Sequence, residues 1–406
     1  IISYANANVY QLVAYQPGKP IEETARELGL QPEDIVKLAS NENSLGPSPL
    51  AVAAMSKAAA GMHIYPDGAS FALRTRIAAE HGVDFSNTVV ANGSSELIEL
   101  LGHAFLTRGS EVVAAEYAFT LYPIVARLLG ARYVSVPNRE RWIHNLDGML
   151  DAITPDTRLV FITNPTNPVG SMVSQAELEH FISRVPEHVV VAIDEAYIEF
   201  AGEQTDSMRF VKQGRNVVVL RTFSKAYGLA GARCGYAVTT PEIADLLNKA
   251  RSPFNVNAFA QVGALAALDD KAHIDRAVQM VQQGRLVYEK FFDELKLEYV
   301  PSHTNFILVN VGMEIGSQQV ESIEVELEYL FSIVVDGVAF FVRQTAEIQC
   351  QIILFLFEIM TTIFTGLGAD VSFAEIVRQF AMGIGLARHE GVHRVLGLSL
   401  QLVVTR

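Results

Sequence analysis

A lysine set between hydroxyl groups and followed by an arginine is the feature of this chain best equipped for covalent chemistry. In RTFSKAYGLAGARCGY (221–236), Lys225 follows the apolar run NVVVL, with Thr222 and Ser224 before it and Arg233 eight residues after it. A lysine in a crevice at a strand's carboxyl end can shed its proton and form a Schiff base with a carbonyl. The neighbouring hydroxyls and guanidinium suit a phosphate dianion. The plain alternative is a surface lysine beside an ordinary loop. In VVVAIDEAY (189–197) an apolar run ends on Asp194, a carboxylate that is costly to bury unless it meets a cation such as a protonated ring nitrogen. Tyr197, three residues on, can donate to a phenolic oxygen on the same ring. Taken alone, Asp194 and Glu195 also read as an acid pair at a helix start.

Two further segments add an amide and an anion site. TNPTNPVG (163–170) carries two Asn-Pro steps and a glycine, which force a rigid, non-helical loop able to aim Asn167 at that phenolic oxygen. A simple turn is the competing reading. ANGSSELIELL (91–101) puts Ser94 and Ser95 at the start of a helix, where free N–H groups and hydroxyls bind anions, unless one of them is a plain cap. Tyr117, after EVVAA, can stack on a flat ring. Amine, carboxylate, amide and anion site together point to pyridoxal 5'-phosphate.

Such groups converge only if the elements carrying them lie in one sheet. From about residue 85 to 240, β-rich runs alternate with helical patterns: TVVAN, EVVAA, RYVSV, RLVFIT, HVVVAID, NVVVLRT and CGYAVT. Continuous Val and Ile runs spaced by a helix predict an α/β fold, a mainly parallel sheet with helices on both faces. Ligands then bind at the strand carboxyl ends. PIEETARELGL (20–30) predicts a short helix stopped by glycine, NENSLGPSP (41–49) a loop, and 257–297 long helices. The expected division is an N-terminal arm over 1–44, a large cofactor-binding domain over 45–255, interdomain helices over 256–295 and a small α+β domain over 296–406 built with the other chain end.

Composition narrows the class of partner. The 406 residues are 50% hydrophobic and 19% charged with net charge −14, which excludes a disordered chain and argues against a nucleic-acid partner. Two cysteines, Cys234 and Cys350, and no signal-peptide pattern predict a cytoplasmic protein. The apolar stretch 348–366 is short for a bilayer span and carries Glu358, so a buried element is expected there rather than a membrane segment. Beyond Ile315 the composition changes, with no lysine and no proline. HEGVH (389–393) matches a zinc-protease pattern, but no third ligand follows it and Gly391 weakens the helix it needs. No metal is expected.

These motifs, with YQPGKPIEETARELGL (15–30), LASNENSLGPSP (38–49), YPDG (65–68), PFNVN (253–257) and HTNFILVNVG (303–312), resemble those of the histidinol-phosphate aminotransferases, over about three quarters of the chain. The resemblance implies the aspartate aminotransferase-like fold, fold type I of pyridoxal phosphate enzymes. It implies transfer of an amino group between histidinol phosphate and 2-oxoglutarate in histidine biosynthesis. By the same resemblance Lys225 is the Schiff-base lysine, Asp194 the partner of the pyridine nitrogen, and Asn167 and Tyr197 the pair at the phenolic oxygen. Tyr117 is then the stacking ring, and Ser94, Ser95, Thr222, Ser224 and Arg233 form the phosphate cup. Tyr65 reaches the phosphate across a homodimer interface, and Tyr15 and Asn43 face the substrate. An aromatic amino-acid aminotransferase or a phospho-amino-acid decarboxylase remains an alternative of the same fold, and a non-catalytic cofactor-binding or interaction protein one of another class. The family's C-terminal arginine segments have no clear counterpart here; VVDGVAFFVRQ (334–344), ending in Arg343, is a faint echo of one.

Overall fold

The computed structural model describes residues 4–10, 12, 20–36, 40–202, 205–310, 331–335, 338–342 and 402–403. Valine-rich segments build its centre. Strands β2 (Thr88–Ala91), β3 (Glu111–Ala115), β4 (Arg132–Val136), β5 (Thr157–Thr163), β6 (Val190–Asp194), β7 (Val217–Thr222) and β8 (Gly235–Val238) form one sheet in the order β2-β8-β7-β6-β5-β3-β4. The pairs β4-β3, β3-β5, β5-β6 and β6-β7 are parallel; β8 runs antiparallel to both β7 and β2. The mainly parallel sheet expected from the sequence is present.

Alternate residues of each strand feed two separate cores, because successive side chains leave opposite faces of a strand. Val113, Val160, Ile162, Val191, Ile193 and Val219 pack on one side. Val112, Leu159, Phe161, Val190, Val218 and Leu220 pack on the other. The first face is covered by helices Phe71–His81, Gln175–Arg184 and Ala258–Ala267, the second by Ser94–Phe105, Leu121–Leu128 and Pro241–Ala250. With apolar cover on both sides, polar alternation is absent from the strands.

The expected helix at the N-terminal end is Ile21–Leu28, ended by Gly29 in the left-handed region, as a glycine stop requires. The long helices are Ala258–Ala267 and Lys271–Glu294. The latter leads to β9 (Glu298–Tyr299) and β10 (Phe306–Asn310), which join β11 (Phe331–Val335) and β12 (Val338–Val342) in a four-stranded sheet. The echo segment 334–344 thus contributes β12, parallel to β10, while Arg343 lies outside the described residues. So do Tyr15, Cys350, the apolar stretch 348–366 and HEGVH. β1 (Ile35–Val36) pairs antiparallel with β13 (Leu402–Val403). Among the described residues no helix is long and apolar enough to cross a membrane.

Candidate active site

The register of the sheet sets Thr163 beside Asp194 and Asp194 beside Leu220, so β5, β6 and β7 end together. Their loops carry the chemistry. Asp194 is 3% exposed; Oδ2 accepts from the Tyr122 hydroxyl at 2.9 Å and Oδ1 from the Ala196 N–H at 3.1 Å. Tyr122 is itself fixed by Thr163 Oγ1 at 2.9 Å and by stacking on Phe161. Burial pushes the Asp194 carboxyl from 3.8 up to about 6, against the pull of the Tyr122 hydrogen bond. Two neutral donors and no bonded cation among the described residues leave this carboxylate suited to a cationic N–H.

Directly after Asp194, the buried Glu195 grips the Arg221 guanidinium at 2.8 Å. The pair locks β6 to β7 just ahead of the lysine loop. Lys225 follows; its Nζ donates to the carbonyls of Ser40 at 3.0 Å and Asn41 at 3.3 Å and lies 5.3 Å from the centre of the Tyr197 ring. The Tyr197 hydroxyl accepts from Asn167 Nδ2 at 3.2 Å and from Asn41 Nδ2 at 3.4 Å. Lysine, tyrosine and asparagine therefore converge as the motifs predict. The Asn167 loop is ordered from inside by Asn164, whose side chain accepts from the Val173 N–H at 2.9 Å and donates to its carbonyl at 3.3 Å.

The residues expected to hold an anion meet where β8 meets the helix Ser94–Phe105. Gly93 precedes the helix at φ +85°, and a Cβ there would lie 2.5 Å from Arg233 Nη2. A Cβ on Gly235 would lie 2.4 Å from the Ser94 nitrogen. Both glycines thus permit a close approach of arginine, strand and helix start. Arg233 Nη1 donates to Ser224 Oγ at 3.3 Å, so guanidinium, Ser224 and the N-terminus bearing Ser94 and Ser95 share one cradle. Thr222 sits behind it, its hydroxyl accepting from the Ser224 N–H at 3.1 Å and donating to the Cys234 carbonyl at 3.4 Å.

The comparisons with known proteins bear on the family of the chain. The family model for aminotransferase class I and II matches residues 33–340. The chain belongs to that family. It is 61% identical over 312 residues to the histidinol-phosphate aminotransferase of Akkermansia muciniphila, covering 77% of this chain and 86% of that protein. Identity to the histidinol-phosphate aminotransferase of Moorella thermoacetica is 45%, over 75% of this chain and 78% of the relative. Among solved structures, that of Sinorhizobium meliloti histidinol-phosphate aminotransferase in complex with pyridoxal 5'-phosphate matches with a TM-score of 0.71 at 26% identity, over 85% of this chain and 90% of that one.

In this class I and II aminotransferase the other expected residues are placed less directly. Tyr117 is half-buried after β3, its ring packed edge-on against Trp142. Asn43 lies on the lysine loop, Nδ2 donating to the Ala226 carbonyl at 2.9 Å. Tyr65 is 79% exposed and stacks on Phe254 of its own chain at 4.7 Å, and it is not part of the bonds among Lys225, Tyr197, Asn167 and the loop over the lysine. Several site residues escape motif reading. Tyr122 lies in a helix whose pattern shows only an apolar face, and Asn41 and Asn305 become partners through a contact 264 residues apart, Asn305 Nδ2 donating to the Asn41 carbonyl at 3.1 Å. A tyrosine on the buried side of the helix after Tyr117 was the one signal available.

Proposed function

We propose that this aminotransferase transfers the amino group of histidinol phosphate to 2-oxoglutarate, using pyridoxal 5'-phosphate bound at the β5 to β7 ends. The observation that carries the cofactor is Asp194, a desolvated carboxylate with two neutral donors, whose charge a pyridinium N–H would offset. The donor set fits the rest of the group: a cradle of Arg233, Ser224 and a helix N-terminus for the phosphate, and Asn167 with Tyr197 for the phenolic oxygen. The identity to histidinol-phosphate aminotransferases supports the substrate.

When bound, pyridoxal phosphate supplies an aldehyde that takes up amines and an electron-poor ring that stabilises charge at the substrate carbon. The chain supplies the rest. Lys225 Nζ would hold the group through its aldehyde carbon and, as an amine, would serve as base and acid for the proton at the substrate carbon. Asp194 keeps the ring nitrogen protonated, and Tyr197 holds a hydrogen bond at the phenolic oxygen. Tyr117 would cover the ring, and Asn43 would stand on the substrate side. The large domain of 45–255 carries all but the last of these, and a cytoplasmic homodimer with Tyr65 serving the neighbouring site completes the reading.

Turnover with histidinol phosphate against phenylalanine, read as glutamate formed from 2-oxoglutarate, tests the substrate. A clear preference for phenylalanine, or release of carbon dioxide, would replace this reading with one of its alternatives. Substitution Lys225→Ala is expected to lower turnover by about 10³-fold or more and to abolish visible absorbance of the bound cofactor.

A further inference from the structure

Between β4 and the helix Leu146–Asp151 the chain makes a turn of unusual backbone. Arg141 (φ 56°, ψ 27°) and Trp142 (φ 60°) are consecutive non-glycine residues in the left-handed region. L-residues with side chains avoid that region, and two in succession persist only where surrounding contacts over-determine them. Those contacts are specific. Asn138 Oδ1 accepts from the Tyr117 N–H at 3.1 Å, while Asn138 Nδ2 donates to the Trp142 carbonyl at 2.7 Å. The same carbonyl accepts from Ser171 Oγ at 3.1 Å, just past the Asn167 loop. The Trp142 ring then meets the Tyr117 ring edge-on, centres 4.7 Å apart at 77°. Two residues on, the buried His144 sits 3.4 Å through Nε2 from the Thr166 hydroxyl, inside the same loop.

One short segment therefore touches both Tyr117 and the loop bearing Asn167, the two groups assigned to the cofactor ring. We propose that residues 138–144 are a brace that fixes Tyr117 over the ring, with Trp142 as its positioning residue. This rests on the cofactor reading given above. The left-handed turn aims the indole at Tyr117; an extended backbone at 141–142 would carry the carbonyl away from Asn138 and Ser171. Trp142 is 42% exposed, so its fixed place comes from these contacts rather than from burial in a core. A stacking ring free to tilt loses contact with the flat face it covers, and the cofactor loses part of its grip and of its asymmetric surroundings.

The test uses the full chain, stripped of cofactor and titrated with pyridoxal phosphate by absorbance, with visible circular dichroism of the loaded protein as a second readout. Trp142→Ala and Asn138→Ala are expected to raise the dissociation constant about tenfold, the size of one aromatic contact, and to weaken the dichroic band. Trp142→Phe, which keeps an edge for Tyr117, is expected to stay within about threefold of the wild type. Unfolding midpoints without cofactor are expected to move by no more than about 2 °C, so that binding and not folding is being read. Wild-type affinity and an unchanged band in both alanine variants overturn the brace alone, and so does a Trp142→Phe as weak as Trp142→Ala. Absence of any Lys225-dependent absorbance in the unsubstituted chain overturns the cofactor reading and the brace with it.

Discussion

Asp194 stands in the protein at an energetic disadvantage that the proposed pairing with a ring nitrogen would offset. Its folded-state pKa of about 6 lies above the unfolded 3.8, so the group favours the folded chain below 3.8 and that contribution is lost as pH rises through 6. Two pH units correspond to roughly 3 kcal/mol at neutral pH. Asp194→Asn is therefore expected to stabilise the cofactor-free protein at pH 7, with the advantage shrinking towards pH 4, while cofactor binding and turnover fall. Thermal unfolding of both proteins across that range checks the point; equal midpoints at pH 7 and pH 4 would refute the burial argument. At this scale Lys225, Asp194, Asn167 and Tyr197 are legible because each sits within a few residues of a strand end, where local order in the chain becomes proximity in space. Tyr122, whose hydroxyl meets Asp194 across 72 residues, has no such local signature.

Between elements, the Arg221 to Glu195 pair adds a side-chain clamp to the backbone bond from the Glu195 N–H to the Leu220 carbonyl at 2.9 Å, at the ends of β6 and β7. Glu195 is fully buried and Arg221 is 16% exposed, so removing Glu195 leaves the guanidinium only Glu199 to offset its charge. Glu195→Gln is expected to cost about 3 kcal/mol or more in denaturant unfolding, and Glu195→Gln with Arg221→Met together less than the two single changes summed. Strict additivity would show that the clamp is unimportant. At the other end of the cradle, Gly93→Ala must find room 2.5 Å from Arg233 Nη2 at a φ of +85°. Phosphate affinity, read from cofactor titration, is expected to fall about tenfold or more as the guanidinium is displaced. Strands and cradle are legible as Val-rich runs and a glycine before a serine pair. The Glu195 to Arg221 clamp is hidden in the sequence, because DEAY reads equally well as a helix start until the register of β6 and β7 is known.

For the whole molecule, Leu50, Val52, Ile64, Tyr65, Phe71 and Phe254 are large apolar residues left exposed, and Tyr65 stacks on Phe254. Exposed apolar side chains of this kind fit the homodimer proposed above. Mixing Lys225→Ala with Tyr65→Phe subunits is expected to restore about a quarter of wild-type turnover, since half the pairs formed at random hold one site with both residues intact. No recovery, with mixed dimers confirmed, would mean that Tyr65 serves its own chain. The layered α/β fold is legible from the spacing of apolar runs alone, whereas Tyr65 gains meaning only from resemblance, because nothing local ties YPDG to the strand ends.

The contact of Asn305 with the Asn41 carbonyl, and of that carbonyl with Lys225, has a consequence for how the enzyme is made. The lysine emerges from the ribosome well before Asn305 does, by roughly 4–16 s at about 5–20 residues per second. During that interval the seven strands can pair and the loop over the lysine already has its bonds to Tyr197 and Ala226, but it lacks the one from Asn305. The bond from Asn305 is thus the last of these to be made, and a nascent chain stalled before residue 305 is expected to hold a finished sheet with the loop over the lysine one bond short.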